Sequence, residues 1–276
     1  MRFVRSHAAL AIAVACTGLA ALAPQAFAKD RRASKAAAAA APAPTLSFQD
    51  QFDRIDPVRW YVSDGWSNGA YQNCTWSKDA VSITNSKLVL TLRPSPTKGG
   101  AFICGEVQTN KRLGYGVYEA RMKSAAGSGL DSAFFTYIGP TMNAPHDEID
   151  FEFLGKSPRA VQLNYWVSGT GGHEKIVPFV YDASTQFHDY AFEWTKTGIR
   201  WFVDRKEVRA AGGQPLPSNP SKLFFNLWAG GPGTEQWLGA FAYEGQPKTL
   251  EVDWVAFTAA GDKCQFAQSL VCTLKP

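Results

Sequence analysis

Beyond Lys87, apolar and polar side chains alternate with period two in one stretch after another. These stretches are Lys87–Leu92, Tyr115–Lys123, Ala133–Ile138, Asp147–Phe153, Ala160–Val167, Asp189–Thr195, Ile199–Asp204, Lys222–Trp228 and Thr249–Phe257. Period two is the period of a strand, whose successive side chains point to opposite faces. Turn-rich pieces such as Pro94-Ser95-Pro96 and Gly230-Gly231-Pro232-Gly233 separate them, and convincing helical periods are absent. Many short strands with this spacing predict an all-β sandwich or barrel. No internal repeat and no second domain interrupts the pattern.

The first 44 residues stand outside it. Arg2 and Arg5 precede a mostly apolar run, Ala8 to Ala23, and Ala26-Phe27-Ala28 fits a small-x-small cleavage site. Residues 1–28 are expected to be a secretory signal peptide, cut after Ala28. The run is too short and too alanine-rich for a membrane span. Residues 29–44 are charged, then pure alanine, then proline-containing, with no amphipathic period, and read as a linker. Residues 45–276 remain as one domain with a short C-terminal extension closed by a disulfide. The expected localisation is secreted, periplasmic or extracellular, with no membrane association after cleavage.

Charge changes once the leader is set aside. The chain has 28 basic and 24 acidic residues, of which six basic residues and one acid lie before residue 45. The domain keeps 22 basic against 23 acidic groups, near −1, so no nucleic-acid or anionic-membrane surface is expected. Cys16 leaves with the signal. Four cysteines in an exported domain suggest two disulfides, and four cysteines allow three pairings. Cys264 and Cys272, close in sequence, are expected to pair, which leaves Cys74 with Cys104. No cysteine or histidine cluster suggests zinc.

Strand parity carries the functional reading. In Asp147–Phe153, Glu148, Asp150 and Glu152 share one face while Ile149, Phe151 and Phe153 share the other. The apolar face is an ordinary core face. Three acids in a row are something no core accepts unpaired. Elsewhere the same division recurs: Gln162, Asn164 and Trp166 oppose Val161, Leu163 and Val167; Phe224, Asn226 and Trp228 oppose Leu223, Phe225 and Leu227; Phe135 and Tyr137 share a face. Aromatic rings stack on the C–H faces of sugars and amides bind their hydroxyls, so such faces suit a glycan. Two carboxyls at a glycosidic bond can divide hydrolysis between a nucleophile and an acid/base, and a retaining enzyme needs them about 5–5.5 Å apart. On a straight strand, Cα atoms four residues apart are separated by roughly 13 Å. Long glutamate side chains leaning inward on a curved strand close much of that gap, and Asp150 between them has the shorter arm. A solvated outer strand face is the competing reading of the acids alone.

At this point the sequence resembles a known family. His146-Asp147-Glu148-Ile149-Asp150-Phe151-Glu152-Phe153-Leu154-Gly155 resembles the active-site strand of glycoside hydrolase family 16, in the branch of bacterial lichenases and plant xyloglucan endotransglycosylases. The resemblance runs from about Phe48 to Thr258. Ser67-Asn68-Gly69, Asn73-Cys74-Thr75-Trp76, Phe134-Phe135-Thr136-Tyr137, Gly171-Gly172-His173-Glu174-Lys175, Asn226-Leu227-Trp228 and Trp237-Leu238-Gly239 resemble lichenases in particular. The resemblance implies a concanavalin-like jelly-roll β-sandwich of two curved antiparallel sheets, whose concave face binds a linear β-glucan. It implies Glu148 as nucleophile, Asp150 as assisting acid and Glu152 as general acid/base. It places substrate contacts at Asn68, Glu106, Phe135, Tyr137, Asn164, Trp166, Asn226, Trp228 and Trp237, and it too matches Cys74 to Cys104. No cofactor is expected for catalysis. Asp253 matches the side-chain ligand of a structural calcium on the convex side. His146, Gln108 and Trp166 stand where lichenases usually carry tryptophan, arginine and tyrosine; His146 and Phe151 resemble the xyloglucan branch. Related bacterial glycanases trim succinoglycan-type exopolysaccharide.

The expected partner is therefore a linear β-glucan or exopolysaccharide, bound by a monomer. His146 reads as a hydrogen-bonding support, Asp147 as a structural acceptor, Trp76 and Trp201 as core, and His173 and Lys175 as residues of a loop edging the cleft. A non-catalytic lectin and a transglycosylase are the rival functions. Glutamates at both ends of the motif argue against the lectin, and water and a sugar acceptor compete for the same intermediate in the other.

Overall fold

A computed structural model describes residues 46–97, 101–213 and 215–274. The expected signal and linker lie outside the described residues. The strands are β1 (Phe48–Asp50), β2 (Trp60–Val62), β3 (Thr75–Trp76), β4 (Val81–Ile83), β5 (Leu88–Pro94), β6 (Phe102–Thr109), β7 (Gly116–Lys123) and β8 (Leu130–Ile138). They continue as β9 (Asp147–Leu154), β10 (Ala160–Trp166), β11 (Lys175–Pro178), β12 (His188–Trp194), β13 (Gly198–Val203), β14 (Lys206–Gly212), β15 (Lys222–Ala229) and β16 (Lys248–Ala259). A single α-helical turn, Glu235–Leu238, precedes β16.

The fold is all-β, a jelly-roll sandwich of two curved sheets. One sheet runs β11-β10-β9-β8-β15-β6 and the other β5-β16-β7-β12-β13-β14, with β5 and β6 joined at Arg93–Ile103 and Pro94–Phe102. Neighbours along this path are antiparallel; the short β3 runs parallel to β6. Each period-two stretch found in the sequence is a strand, with ends shifted by a few residues at most.

The core lies between the sheets and is built from the apolar parity of each strand. Phe151 of β9, Phe134 of β8 and Phe225 of β15 stack in sequence, with centroids 5.9 and 5.2 Å apart and planes within 13°. From the opposite sheet, Tyr118 stacks on Phe192 at 4.7 Å, and Phe192 packs against Phe134. Trp76 and Trp201 are fully buried, as core residues. This packing fixes β8, β9 and β15 side by side and so sends their other faces outward together.

Cys74 bonds Cys104, tying β3 to β6, and Cys264 bonds Cys272 in the C-terminal extension. That extension seats Leu270 against Val117, Ala191 and Phe202 on the outer face of the second sheet. There the buried Glu119 accepts hydrogen bonds from the Ser269 hydroxyl and the Leu270 amide.

The Asp253 carboxylate meets Lys87 Nζ at 3.7 Å and Arg121 Nε at 3.5 Å. A register shift in β16 between Val252 and Trp254 brings it to these cations. Asp253 is thus held between two cations, one toward each carboxylate oxygen.

Candidate active site

The outward faces of β10, β9, β8, β15 and β6 form the floor of a cleft of about 510 Å³. The register writes this floor in rows. Gln162, Glu152, Ala133, Asn226 and Glu106 follow one another across the five strands. Asn164, Asp150, Phe135, Phe224 and Gln108 form the next row, and Trp166, Glu148, Tyr137 and Lys222 the next. The parity expected from the sequence is the parity observed.

Asp147 points the other way and accepts from the amides of Ser168, Ser218 and Asn219 and from the Asn219 side chain. Burial opposes its ionisation, but these donors prevail and hold it below the usual carboxylate range. It anchors the start of β9, so the acids that follow start from a fixed point.

Glu148 accepts or shares a proton with His146 Nε2 at 2.6 Å. His146 is held between aromatic rings, stacked on Trp166 at 5.0 Å and 16° and tilted against Tyr137 at 5.1 Å. Gly171 lets its loop close on Trp166 from behind, since a Cβ there would lie 2.8 Å from the indole ring. Burial raises the Glu148 carboxyl, and the bond and charge of His146, followed by the bond to Asp150, offset part of this but leave it raised. Asp150 is raised well above the usual carboxylate range by burial and then by the charges of Glu148, Glu152 and Asp131. It is therefore the protonated partner in its bond to Glu148.

Among the described residues, no cation pairs with Glu152. Gln162 Nε2 donates to its Oε2 at 2.6 Å, and Gln162 Oε1 in turn accepts from Trp237 Nε1 at 3.2 Å. Burial, then Asp131 and Glu148, push Glu152 well above the usual range, and the Gln162 bond offsets only part of this. The two glutamates thus sit in different environments, one beside a base and one beside an amide. Such divergence separates a nucleophile from an acid.

Aromatic side chains wall the cleft. Phe135 stacks on Phe224 at 4.9 Å, Trp228 lies 5.9 Å from Trp237, and Tyr71 meets Trp228 edge-on at 6.0 Å. Asn68, Trp66 and Tyr71 come from the loop before β3, which is clamped to the end of β15 by Gly231 N donating to Tyr71 O and Asn73 N to Ala229 O. Glu106 accepts from the Ser63 hydroxyl at 2.6 Å and from Asn226 Nδ2 at 3.3 Å, and burial raises it to about 7. Asp131 is also raised to about 7 by burial, against the bond it accepts from Trp228 Nε1.

Of the residues singled out in the sequence, Asn68, Glu106, Phe135, Tyr137, Glu148, Asp150, Glu152, Trp166, Asn226, Trp228 and Trp237 line the cleft. Asn164 shares their face but is buried beside Asp150 and does not reach the lining. His173 turns away: it stacks on Tyr165 at 3.9 Å and bonds the Tyr165 carbonyl, on the core parity of β10. Lys175 lies exposed on β11 and likewise does not line the cleft. Trp66, Tyr71, Asp131, Thr141 and Met142 line it without having been singled out. Asp131 was within reach of the parity argument, since it lies two residues before Ala133; the others come from loops without a period.

A jelly roll with paired glutamates on the floor of an aromatic cleft defines a glycan-cleaving β-sandwich. The model of the family "Glycosyl hydrolases family 16" matches residues 68–256. The chain belongs to glycoside hydrolase family 16, in its bacterial lichenase branch. It is 51% identical over 230 residues to "Endo-1,3-1,4-beta-glycanase ExoK" of Rhizobium meliloti, covering 83% of this chain and 85% of that protein. It is 44% identical to the "Beta-glucanase" of Bacillus subtilis, over 77% of this chain and 86% of the relative. The Bacillus licheniformis β-glucanase structure superposes with a TM-score of 0.73 at 42% identity, covering 77% of this chain and 97% of that one.

Proposed function

We propose that this protein is a secreted, retaining endo-glucanase that hydrolyses internal β-1,4 bonds of mixed-linkage β-1,3-1,4-glucan by double displacement. The observation that carries this reading is the contrast between Glu148 and Glu152 on one face of β9. Glu148 attacks the anomeric carbon as Glu152 delivers its proton to the leaving oxygen, forming a glycosyl-enzyme. Glu152, now ionised, takes a proton from water, whose oxygen displaces Glu148. Asp150, holding its proton, hydrogen-bonds Glu148 and stabilises the carboxylate before attack and after release. The relatives named for glucanase activity support the substrate class.

The experiment is reducing-end release from lichenan by the wild type and by Glu148→Gln and Glu152→Gln. Each substitution is expected to lower turnover by several orders of magnitude while leaving thermal unfolding nearly unchanged. Near-normal turnover by either variant sinks the assignment. Azide with an activated aryl glycoside separates the roles: Glu152→Ala should yield a β-glycosyl azide and Glu148→Ala an α one, and the reverse means that the two are exchanged.

The cleft wall favours a second reading of the substrate. His146, Trp166 and Gln108 replace residues usual in lichenases, and all three lie in or beside the row of the nucleophile. A related bacterial exopolysaccharide is the substrate this wall would admit, with xyloglucan hydrolysis or transglycosylation the less favoured outcome. Lichenan, laminarin, xyloglucan and succinoglycan compared side by side, with products sized, decide among them.

A further inference from the structure

Two cations stand beside one end of the cleft, each hydrogen-bonded to a residue of its lining. Lys222 opens β15 on the same parity as Phe224, Asn226 and Trp228, and it pairs across the sheet with Tyr137, which pairs in turn with Glu148. With strands about 4.8 Å apart, Lys222 stands roughly 10 Å from the nucleophile along its own row. Its Nζ donates to Gln108 Oε1 at 2.8 Å. Arg112, in the turn after β6, donates from Nη2 to the Met142 carbonyl at 2.6 Å. Gln108, Met142 and Tyr137 all line the cleft. Both cations therefore end on neutral acceptors at one rim.

Several half-buried cations of the molecule pair with acids, as Arg59 does with Asp50, Lys123 with Glu251, and Arg121 with Asp189 and Asp253, while Arg93 and Arg209 end on backbone carbonyls. Among the described residues, Lys222 and Arg112 have no acidic partner. Burial and then the charge of Arg112 lower the Lys222 ammonium below its usual range. An anion placed between them reverses that cost, because an opposite charge favours the ionised form.

We propose that Lys222 and Arg112 form a subsite for a carboxylate carried by the polysaccharide, so that the substrate class is an acidic, carboxyl-substituted β-glucan. This rests on reading the cleft as a glucanase site. One substituted sugar held here fixes the register of the chain over Glu148, and the bond cut is set by the spacing of the substituents. The near-neutral net charge of the domain argues against general attraction of polyanions and leaves the effect to this pair.

The test measures affinity for lichenan and for lightly carboxymethylated lichenan, using protein carrying Glu148→Gln so that the polymers stay intact. At low salt the carboxymethylated polymer should bind about three- to fivefold more tightly, as a partly exposed ion pair gives. Lys222→Gln and Arg112→Gln, each added to that background, should remove the preference, high salt should erase it, and Lys196→Gln at a distant exposed turn should keep it. Equal affinity for the two polymers overturns the proposal. So does a preference that survives both substitutions, or one that Lys196→Gln lowers as much. Arg112 is exposed, so its variant decides the matter if Lys222→Gln does not fold. Reducing ends from neutral lichenan test the glucanase reading separately: that activity can stand while the subsite fails, and its loss would not change the binding comparison.

Discussion

At the scale of single residues, the site separates two chemically identical side chains by what each touches. His146 lowers Glu148 and Gln162 lowers Glu152, each against a larger effect of burial. Removing either partner has a signed consequence. Without His146, Glu148 holds its proton to higher pH, so the acidic limb of kcat/KM should move up in His146→Asn. Loss of Gln162 does the same to Glu152, and the alkaline limb should move up in Gln162→Ala, because the acid stays protonated longer. A pH–rate profile for the two variants checks this. Both limbs moving together in either variant would show that the partners do not act on separate carboxyls.

At the scale of elements, the loop before β3 carries Trp66, Asn68 and Tyr71, and the Cys74–Cys104 bond fixes its end to β6. The bond closes a 30-residue separation. Replacing both cysteines by alanine should cost on the order of 2–4 kcal/mol, read from chemical denaturation, and should raise KM for lichenan more than it lowers kcat, because wall residues loosen while β9 stays in place. An unchanged KM would show that the clamps to Ala229 and Tyr71 suffice. How much of this was legible in the sequence follows from the burial of each element. β9, β10 and β15 have one core face and one cleft face, so their alternation named the acids, amides and rings directly. β6 is buried along nearly its whole length, which removes alternation; its Glu106 emerged only through family resemblance. β14 is an edge strand with few buried positions and no period to follow. The ion pairs of Asp253 with Lys87 and Arg121 could not be read from the sequence, because both cations lie more than 100 residues away in the chain.

At the scale of the whole molecule, the cleft floor gathers Glu106, Asp131, Glu148, Asp150 and Glu152, every one raised by burial, and this collection weighs on the stability of the fold. Glu106 gives the cleanest measure, since burial takes it from 4.5 to about 7. Below pH 4.5 the side chain is protonated in folded and unfolded chains alike and contributes no pH dependence. As pH rises from 4.5 toward 7, the unfolded chain releases the proton while the folded one keeps it, so folding loses stability across that window. Above about 7 both forms are ionised and the loss is complete. Each unit of difference is worth about 1.4 kcal/mol, so the loss approaches about 3 kcal/mol. Glu106→Gln cannot titrate. Its bonds to Ser63 and Asn226 change by an amount that does not depend on pH, so the informative quantity is the slope of the difference between variant and wild type. That difference, taken from denaturant unfolding at several pH values, should be flat below pH 4.5, grow in the variant's favour up to about pH 7 and then level off. A difference independent of pH would mean that Glu106 is ionised in the folded cleft, held by Ser63 and Asn226 against its burial.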